Sequence, residues 1–228
     1  MELINHYLFG SNLQSYWRLE GNSNDSKAGN NGTDSNITYG IANGKFGQGA
    51  SFNGTSSDIA LGNVFAFERT DAFSVVFWFN RGTGSSERHV FNKTKDVSAY
   101  TGWAVLFSGD KLNLVLINNN TNNLINVMSN ATYADSVWHQ AVVTYSGSSA
   151  ASGVIMYIDG AAIASTILTD NLSASIVTTT NLHIGSRLNG ALFYNGNLDD
   201  LAIWSRVLIA AEIDDLYKEK LEDYANFC

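Results

Sequence analysis

The feature that most constrains this chain is a series of short apolar runs separated by Gly, Asn, Ser and Thr, with no proline among its 228 residues. Gly and Asn tolerate the positive φ angles of tight turns, so the chain can reverse direction without proline. Short apolar runs that end at such turns are typical of β-strands. The pattern therefore predicts a many-stranded chain.

The run at residues 73–81 (FSVVFWFNR) is the most apolar of these segments. Its odd positions from 73 to 79 are all apolar, and positions 76 and 78 make the opposite face apolar too. Side chains alternate between the two faces of a strand, so this segment is predicted to be central in its sheet. Further strands are predicted at 16–20, 50–52, 88–93, 103–107, 111–117, 123–128, 137–145, 154–159, 182–186 and 198–207.

Helical periodicity is confined to the C-terminal segment. The apolar residues that recur there at intervals of three or four are Ile209, Ile213, Leu216, Tyr217, Leu221 and Tyr224. We therefore expect an N-terminal arm (1–12), an all-β sandwich of two antiparallel sheets in a jelly roll (13–207), and an amphipathic helix packed on it (208–228).

Composition narrows the function classes. The formal net charge is −8 with only 13 Lys and Arg residues, which argues against a nucleic-acid partner. We find neither an apolar stretch long enough to span a membrane nor a signal peptide after Met1, so membrane insertion is not expected. The single cysteine, Cys228, allows no intrachain disulfide.

Seven segments, taken in order, resemble the laminin-G-like branch of the concanavalin A-like lectin and glucanase superfamily. They lie at 16–25, 44–54, 73–80, 138–145, 157–160, 182–186 and 196–217. The resemblance covers roughly residues 13–217 and implies a concanavalin A-like jelly roll. It leaves function open, because this sandwich carries lectins, adhesion modules, virion proteins and some hydrolases.

For the hydrolases, the resemblance implies acidic residues at i, i+2 and i+4 of one strand. The nearest match is Glu212-Ile213-Asp214, where Leu216 occupies the third position and the segment is predicted to be helical. We therefore expect no enzyme activity.

The resemblance also implies one structural Ca²⁺, with Asp25 and Asp199 at the matching positions. Calcium takes six to eight oxygen ligands, which backbone carbonyls and water would complete. The alternative is that Asp25 forms an Asx turn and Asp199 caps a strand.

Two loops are candidates for ligand binding. Residues 187–195 place two adjacent aromatics beside amides and an arginine, a mixture suited to stacking on a sugar and hydrogen-bonding its hydroxyls. The predicted ligand residues are Arg187, Asn189, Phe193, Tyr194 and Asn195. Residues 118–123 (NNNTNN) offer amides without an aromatic. In either loop, the alternative is a hairpin that folds back on the core.

These observations favour a non-catalytic recognition module whose partner is a glycan or glycoconjugate. The apolar residues of segment 1–12 suggest docking on its own sandwich or on another subunit, which favours a virion-associated decoration or receptor-contact protein. The alternatives are a free extracellular lectin or adhesion protein and, less favoured, a glycoside hydrolase or lyase. The expected location is a virion surface or the extracellular space.

Overall fold

The computed structural model describes residues 12–84, 86–95, 100–187 and 191–225. Within these ranges the chain forms strands and one C-terminal α-helix. The strands are β1 (Leu13–Trp17), β2 (Thr33–Ser35), β3 (Thr38–Gly40), β4 (Gly49–Asn53), β5 (Asp58–Ala60), β6 (Phe73–Asn80), β7 (Arg88–Asn92), β8 (Gly102–Ser108), β9 (Lys111–Asn119), β10 (Asn123–Ser129), β11 (Trp138–Tyr145), β12 (Val154–Ile158), β13 (Ala161–Ala162), β14 (Ser165–Asp170), β15 (His183–Ile184) and β16 (Asn195–Trp204). The helix is α1 (Ala210–Ala225).

The strands form two antiparallel sheets. In the first sheet the order is β13-β12-β11-β6-β16-β4-β3, and β1 also pairs with β16 beyond the end of β4. In the second sheet the order is β14-β10-β9-β8-β7-β15-β5-β2. Neighbours distant in sequence pair in both sheets, as in a jelly roll. The predicted all-β sandwich with a C-terminal helix is confirmed.

The inward faces of the two sheets form one aromatic-rich core. Phe73, Val75, Phe77 and Phe79 of β6 all belong to it and are fully buried. Strand β6 lies between β11 and β16, so its prediction as a central strand is correct. Phe73 also lies in an aromatic stack with Phe67, whose ring centroid is 4.7 Å away.

The first strand begins earlier and ends earlier than the pattern at 16–20 predicts. Strand β1 ends at Trp17, and Leu19 adopts a positive φ of 59° that breaks the extended conformation. Short strands such as β2, β3, β5 and β13 carry too few residues for a periodic signal. Strand β14 is almost wholly exposed at a sheet edge, so it lacks the apolar alternation that marks a half-buried strand.

A second, smaller apolar cluster lies on the outer face of the first sheet. Ile213 and Leu216 of α1 are buried there against residues including Val76, Val142 and Trp204. Trp204 therefore packs under the helix and not between the two sheets. In the described part of the chain, no helix is both long and apolar enough to cross a membrane.

Backbone geometry fixes the ends of β12 and β8. Asp159 and Gly160, both with positive φ (52° and 79°), form the two-residue turn between Ile158 and Ala161. At the start of β8, a Cβ on Gly102 would meet the Lys93 carbonyl oxygen at 2.0 Å. Only glycine therefore allows β8 to approach the end of β7 this closely.

Candidate functional site

A cleft of about 310 Å³ opens on the outer face of the second sheet. Its floor is formed by Ala104 and Leu106 of β8 and by Val115 and Ile117 of β9. This follows from the period of two, because Trp103, Val105 and Phe107 point from β8 into the core. The floor is apolar, and at least Ala104, Leu106 and Ile117 are less than 6% exposed.

Polar side chains surround this floor. They are Glu87, His89, Thr94, Tyr100, Asn120 and Arg187. They come from β7, from the segments beside β7, β8 and β9, and from the residues after β15. An apolar floor with a rim of hydrogen-bonding groups matches a sugar ring, which has apolar C–H faces and polar hydroxyl edges.

The histidine in the rim has a defined hydrogen-bond arrangement. His89 Nε2 lies 2.7 Å from Glu87 Oε1, and His89 Nδ1 lies 3.1 Å from Asn92 Nδ2. The Thr94 backbone N–H donates to Asn92 Oδ1 (3.3 Å), which leaves the Asn92 amide nitrogen to face the histidine. Asn92 is thus the donor to Nδ1, and the imidazole is the neutral form that donates from Nε2 to Glu87.

The contacts of His89 and Glu87 shift the pKa values of both side chains. Burial lowers the pKa of His89, although its bond to Glu87 opposes this. The hydrogen bond from His89 lowers the pKa of Glu87, and the positive charge of Arg187 acts in the same direction. At neutral pH, Glu87 is therefore a carboxylate beside a neutral imidazole.

Arg187 lies over the ring of Tyr100, with its guanidinium carbon 4.4 Å from the ring centroid. Its backbone N–H donates to the Ala191 carbonyl (2.8 Å). The rim is therefore partly assembled by a cation–π contact between two separate segments.

The structure separates the five ligand residues predicted from the sequence. Arg187 lines the cleft, and Asn189 lies outside the described residues. Phe193 is partly buried, and Asn195 is exposed at the start of β16. Tyr194 is fully buried, so its ring is not presented to a ligand.

Tyr194 faces inward because its backbone is tied into the fold. Its N–H donates to the Gly185 carbonyl at 2.7 Å, and its ring makes an edge contact with Phe52 at a centroid distance of 5.9 Å. Adjacent residues in an extended segment point to opposite sides, so Phe193 and Tyr194 do not form a joint stacking platform.

In the amide-rich segment 118–123, side-chain amides are largely engaged in hydrogen bonds to the protein backbone. Asn119 Oδ1 accepts hydrogen bonds from the backbone of residues 121 and 122, and Asn123 Oδ1 accepts them from residues 173 and 174. Asn120, however, lines the cleft. One residue of this loop thus lines the cleft, but no sequence pattern indicated Glu87, His89, Thr94 or Tyr100, which tertiary packing brings together.

Asp25, the first predicted calcium ligand, has both carboxylate oxygens occupied by protein donors. Oδ1 accepts the backbone N–H groups of Tyr16 (3.0 Å) and Lys27 (2.8 Å). Oδ2 accepts the Ser15 hydroxyl (2.7 Å) and the Asn30 N–H (3.0 Å). Burial disfavours the ionised form, but these four bonds outweigh it and lower the pKa of Asp25.

Asp199 has a similar role. It is fully buried, and its Oδ2 accepts the backbone N–H groups of Lys45 and Phe46 at 2.8 and 2.9 Å. Over the described ranges, no three His, Cys, Asp or Glu side chains cluster so as to hold a metal ion. The N–H and O–H donors around Asp25 and Asp199 do not fit a calcium shell, and a calcium titration tests the expectation drawn from the resemblance.

The acids compared above with a hydrolase motif lie at the start of α1. Both Nη atoms of Arg206 donate to Glu212 (2.7 and 2.8 Å), and the Ile209 N–H donates to Glu212 Oε2 at 2.9 Å. Glu212 thus caps the helix in the manner of a capping box. Asp214 pairs with Lys218 on the same helix.

A second polar cluster, Asp58 with His183 and Ser186, has the residue types of a nucleophilic triad without its geometry. His183 Nδ1 lies 2.9 Å from Asp58 Oδ1, and the Ser186 hydroxyl donates to that same oxygen at 2.7 Å. The serine proton is therefore directed to the carboxylate and not to a histidine base.

Comparison with known proteins agrees with this architecture. The family model Laminin_G_3, described as the concanavalin A-like lectin/glucanases superfamily, matches residues 53–214. No curated protein sequence matches the chain.

Two kinds of solved structure resemble the fold. Domain 4 of AbnA, a GH43 extracellular arabinanase from Geobacillus stearothermophilus in complex with arabinotriose, is 17% identical with a TM-score of 0.68, over 90% of this chain and 98% of that one. The binding domain of Paraclostridial Mosquitocidal Protein 1 is 16% identical with a TM-score of 0.68, over 91% and 52% of the two chains.

The binding domain of Botulinum Neurotoxin DC in complex with SialylT is 15% identical with a TM-score of 0.66, over 92% and 52%. This chain thus spans about half the length of those toxin domains. The family match extends over most of the sandwich, and the chain therefore belongs to the concanavalin A-like lectin and glucanase superfamily.

Proposed function

We propose that this protein is a non-catalytic carbohydrate-recognition module and that the cleft on the second sheet is its glycan site. The observation that carries the proposal is the combination of an apolar floor with a polar rim in one cleft of about 310 Å³. This volume is at the lower end of the range for small-molecule sites, and is sufficient for one or two sugar units.

The rim supplies the groups that hold sugar hydroxyls in place. Arg187 and Asn120 can donate hydrogen bonds, while Glu87 and the hydroxyls of Thr94 and Tyr100 can accept them. Because His89 and Arg187 are already held by neighbouring groups, the site loses little side-chain entropy when a ligand binds.

The arrangement of carboxylates supports binding without hydrolysis. Glycosidases place two carboxyl groups on either side of the bond that they cleave. Among the described residues that line the cleft, Glu87 is the only carboxylate, and it accepts a hydrogen bond from His89. The arabinanase domain with arabinotriose adds an example in which this fold accompanies a bound oligosaccharide in another protein.

An oligosaccharide array followed by titration calorimetry tests the proposal. Arg187→Ala should weaken binding of any glycan that scores by roughly ten- to hundredfold, because a hydrogen bond to a charged group contributes about 1.5–3 kcal/mol. Arg18→Ala is the matched control, since Arg18 is exposed and does not line the cleft. Equal affinities of the two variants would contradict this location for the site.

A protein receptor is the competing occupant, since one similar solved structure is a toxin binding domain in complex with rat synaptotagmin II. Binding of a protein partner that survives both Arg187→Ala and competition by free oligosaccharide would favour that alternative.

We further propose that the module acts at a virion surface, with free extracellular lectin or adhesion function as the alternative. The support is the apolar segment 1–12, of which residue 12 alone is described. Deletion of residues 1–12 should abolish incorporation into particles and leave glycan binding intact. Normal incorporation would favour a free lectin.

A further inference from the structure

The cleft is lined by charged side chains of both signs. Among the described lining residues, the ionisable side chains that carry charge near neutral pH are Glu87 and Arg187, one of each sign. The hydrogen bond from His89 and, to a smaller degree, the charge of Arg187 lower the pKa of Glu87. The positive charge of the rim therefore acts beside a fixed negative charge.

His89 adds no charge, because its neighbours fix the neutral tautomer. Asn92 donates to Nδ1, so a second proton there would face an N–H group. His89 is 3% exposed, so its ring cannot turn to water for another acceptor. The described lining thus carries no net charge, and it lies on a chain with a formal net charge of −8.

A carboxylate-bearing sugar would be disfavoured in this site. Its carboxylate would meet the like charge of Glu87, and it would lose hydration at an apolar floor. Long-range repulsion from the acidic chain would also slow its approach. Neutral hydroxyls meet neither penalty, since they can donate to Glu87 while accepting from Arg187 or Asn120.

Resting on the glycan-binding function proposed above, we infer that the cleft selects neutral glycans over acidic ones, with Glu87 as the residue that rejects the acidic ligands. The specificity arises because the Glu87 carboxylate accepts hydrogen bonds from neutral hydroxyls and repels the carboxylate of an acidic sugar. Glu87 is therefore a specificity-determining residue.

Galactotriose and trigalacturonic acid, which share a ring configuration and differ in charge, provide the test by calorimetry at neutral pH and low salt. We expect at least tenfold tighter binding of galactotriose, and the same preference for lactose over 3′-sialyllactose. Glu87→Gln should narrow the preference by about tenfold. Asp214→Asn, which makes the same change in net charge on the surface of α1, should leave it unchanged. Thermal melting checks that both variants are folded.

Three outcomes would overturn the inference. Equal or tighter binding of the acidic sugars by the wild type overturns it while the glycan-binding function stands. An unchanged preference in Glu87→Gln overturns the role of Glu87 alone. If the wild type binds neither class in these pairs nor any glycan on the array, the proposed function itself fails.

Discussion

The ring of Tyr217 stacks on the indole of Trp78, with centroids 5.7 Å apart and ring planes inclined by 22°. Tyr217 belongs to α1 and Trp78 to the central strand β6, so this contact joins the C-terminal helix to the outer face of the first sheet. That face is covered by the helix, whereas the outer face of the second sheet holds the cleft. The two faces of the sandwich thus have different roles.

The first prediction concerns helix docking. Ile213→Ala should lower the free energy of unfolding by about 2–4 kcal/mol, because Ile213 is fully buried and its truncation leaves a cavity. Ile209→Ala is the matched control, since Ile209 is 61% exposed just before the helix, and it should change stability little. Urea unfolding measures both, and equal losses would argue against docking through the buried face.

The second prediction concerns His139, which lies between two carboxylates. Its Nδ1 is 2.7 Å from Asp159 and its Nε2 is 3.3 Å from Asp135, so the doubly protonated ring can donate to both. Burial disfavours the charged form, but the bonds to Asp159 and Asp135 outweigh it and raise the pKa of His139.

A raised folded-state pKa gives a defined pH dependence. The stabilisation should be fully present below the unfolded-state value of about 6.5 and should be lost as the pH rises through the folded-state pKa. The stability difference between wild type and His139→Gln, measured by urea unfolding from pH 5 to 9, should therefore shrink with rising pH. A difference that stays constant over this range would contradict the prediction.

The third prediction concerns Lys93, a fully buried lysine. Its Nζ donates to Asn63 Oδ1 at 2.9 Å and to the Thr180 carbonyl at 2.7 Å. A neutral amine has two N–H groups for these two neutral acceptors, and burial lowers the pKa of Lys93 to about 8.

Because the unfolded chain holds the Lys93 proton more tightly than the folded chain, this lysine should make stability rise between pH 8 and about 10.5. In Lys93→Met, the free energy of unfolding should no longer show this rise with pH. Lys95→Met provides the control, since Lys95 is exposed and two residues away. An identical alkaline profile for wild type and Lys93→Met would refute the assignment.

The fourth prediction concerns calcium and Asp25. Because four protein donors already occupy its carboxylate, millimolar Ca²⁺ should leave the melting midpoint of metal-stripped protein unchanged. Asp25→Asn should lower stability by about 1–3 kcal/mol, since one amide cannot accept all four bonds. A calcium-dependent rise in the midpoint that Asp25→Asn abolishes would instead support the site expected from the resemblance.

The main strands were predictable from the sequence because their signals are local. Strand β6 is apolar on both faces, so each face had to be covered by another layer of the protein. The helix α1 was predictable for the same reason, as its apolar residues recur along one stripe. The turn at Asp159 and Gly160 follows from the tolerance of these two residue types for positive φ.

The candidate site was predictable only in part. Arg187 and the 118–123 loop could be chosen because their residue types suit a sugar, but the same criterion chose Tyr194, which the fold buries against Phe52. Local sequence does not say which of two adjacent aromatics will face the core. That depends on the hydrogen bond from Tyr194 to Gly185, a contact between segments.

The fold class, the central strand and the amphipathic helix follow from local sequence patterns, because periodicity and turn chemistry act over a few residues. Tertiary structure alone decided that Glu87, His89, Tyr100 and Arg187 share one cleft, since they come from strands and loops that meet only when the second sheet forms. It also decided that Asp25 accepts hydrogen bonds from Ser15 and Tyr16 of β1 in addition to the local turn contact with Lys27, because β1 meets Asp25 only when the chain folds. Cross-strand register and burial determine such contacts, and the spacing of residues along the chain predicts neither of them.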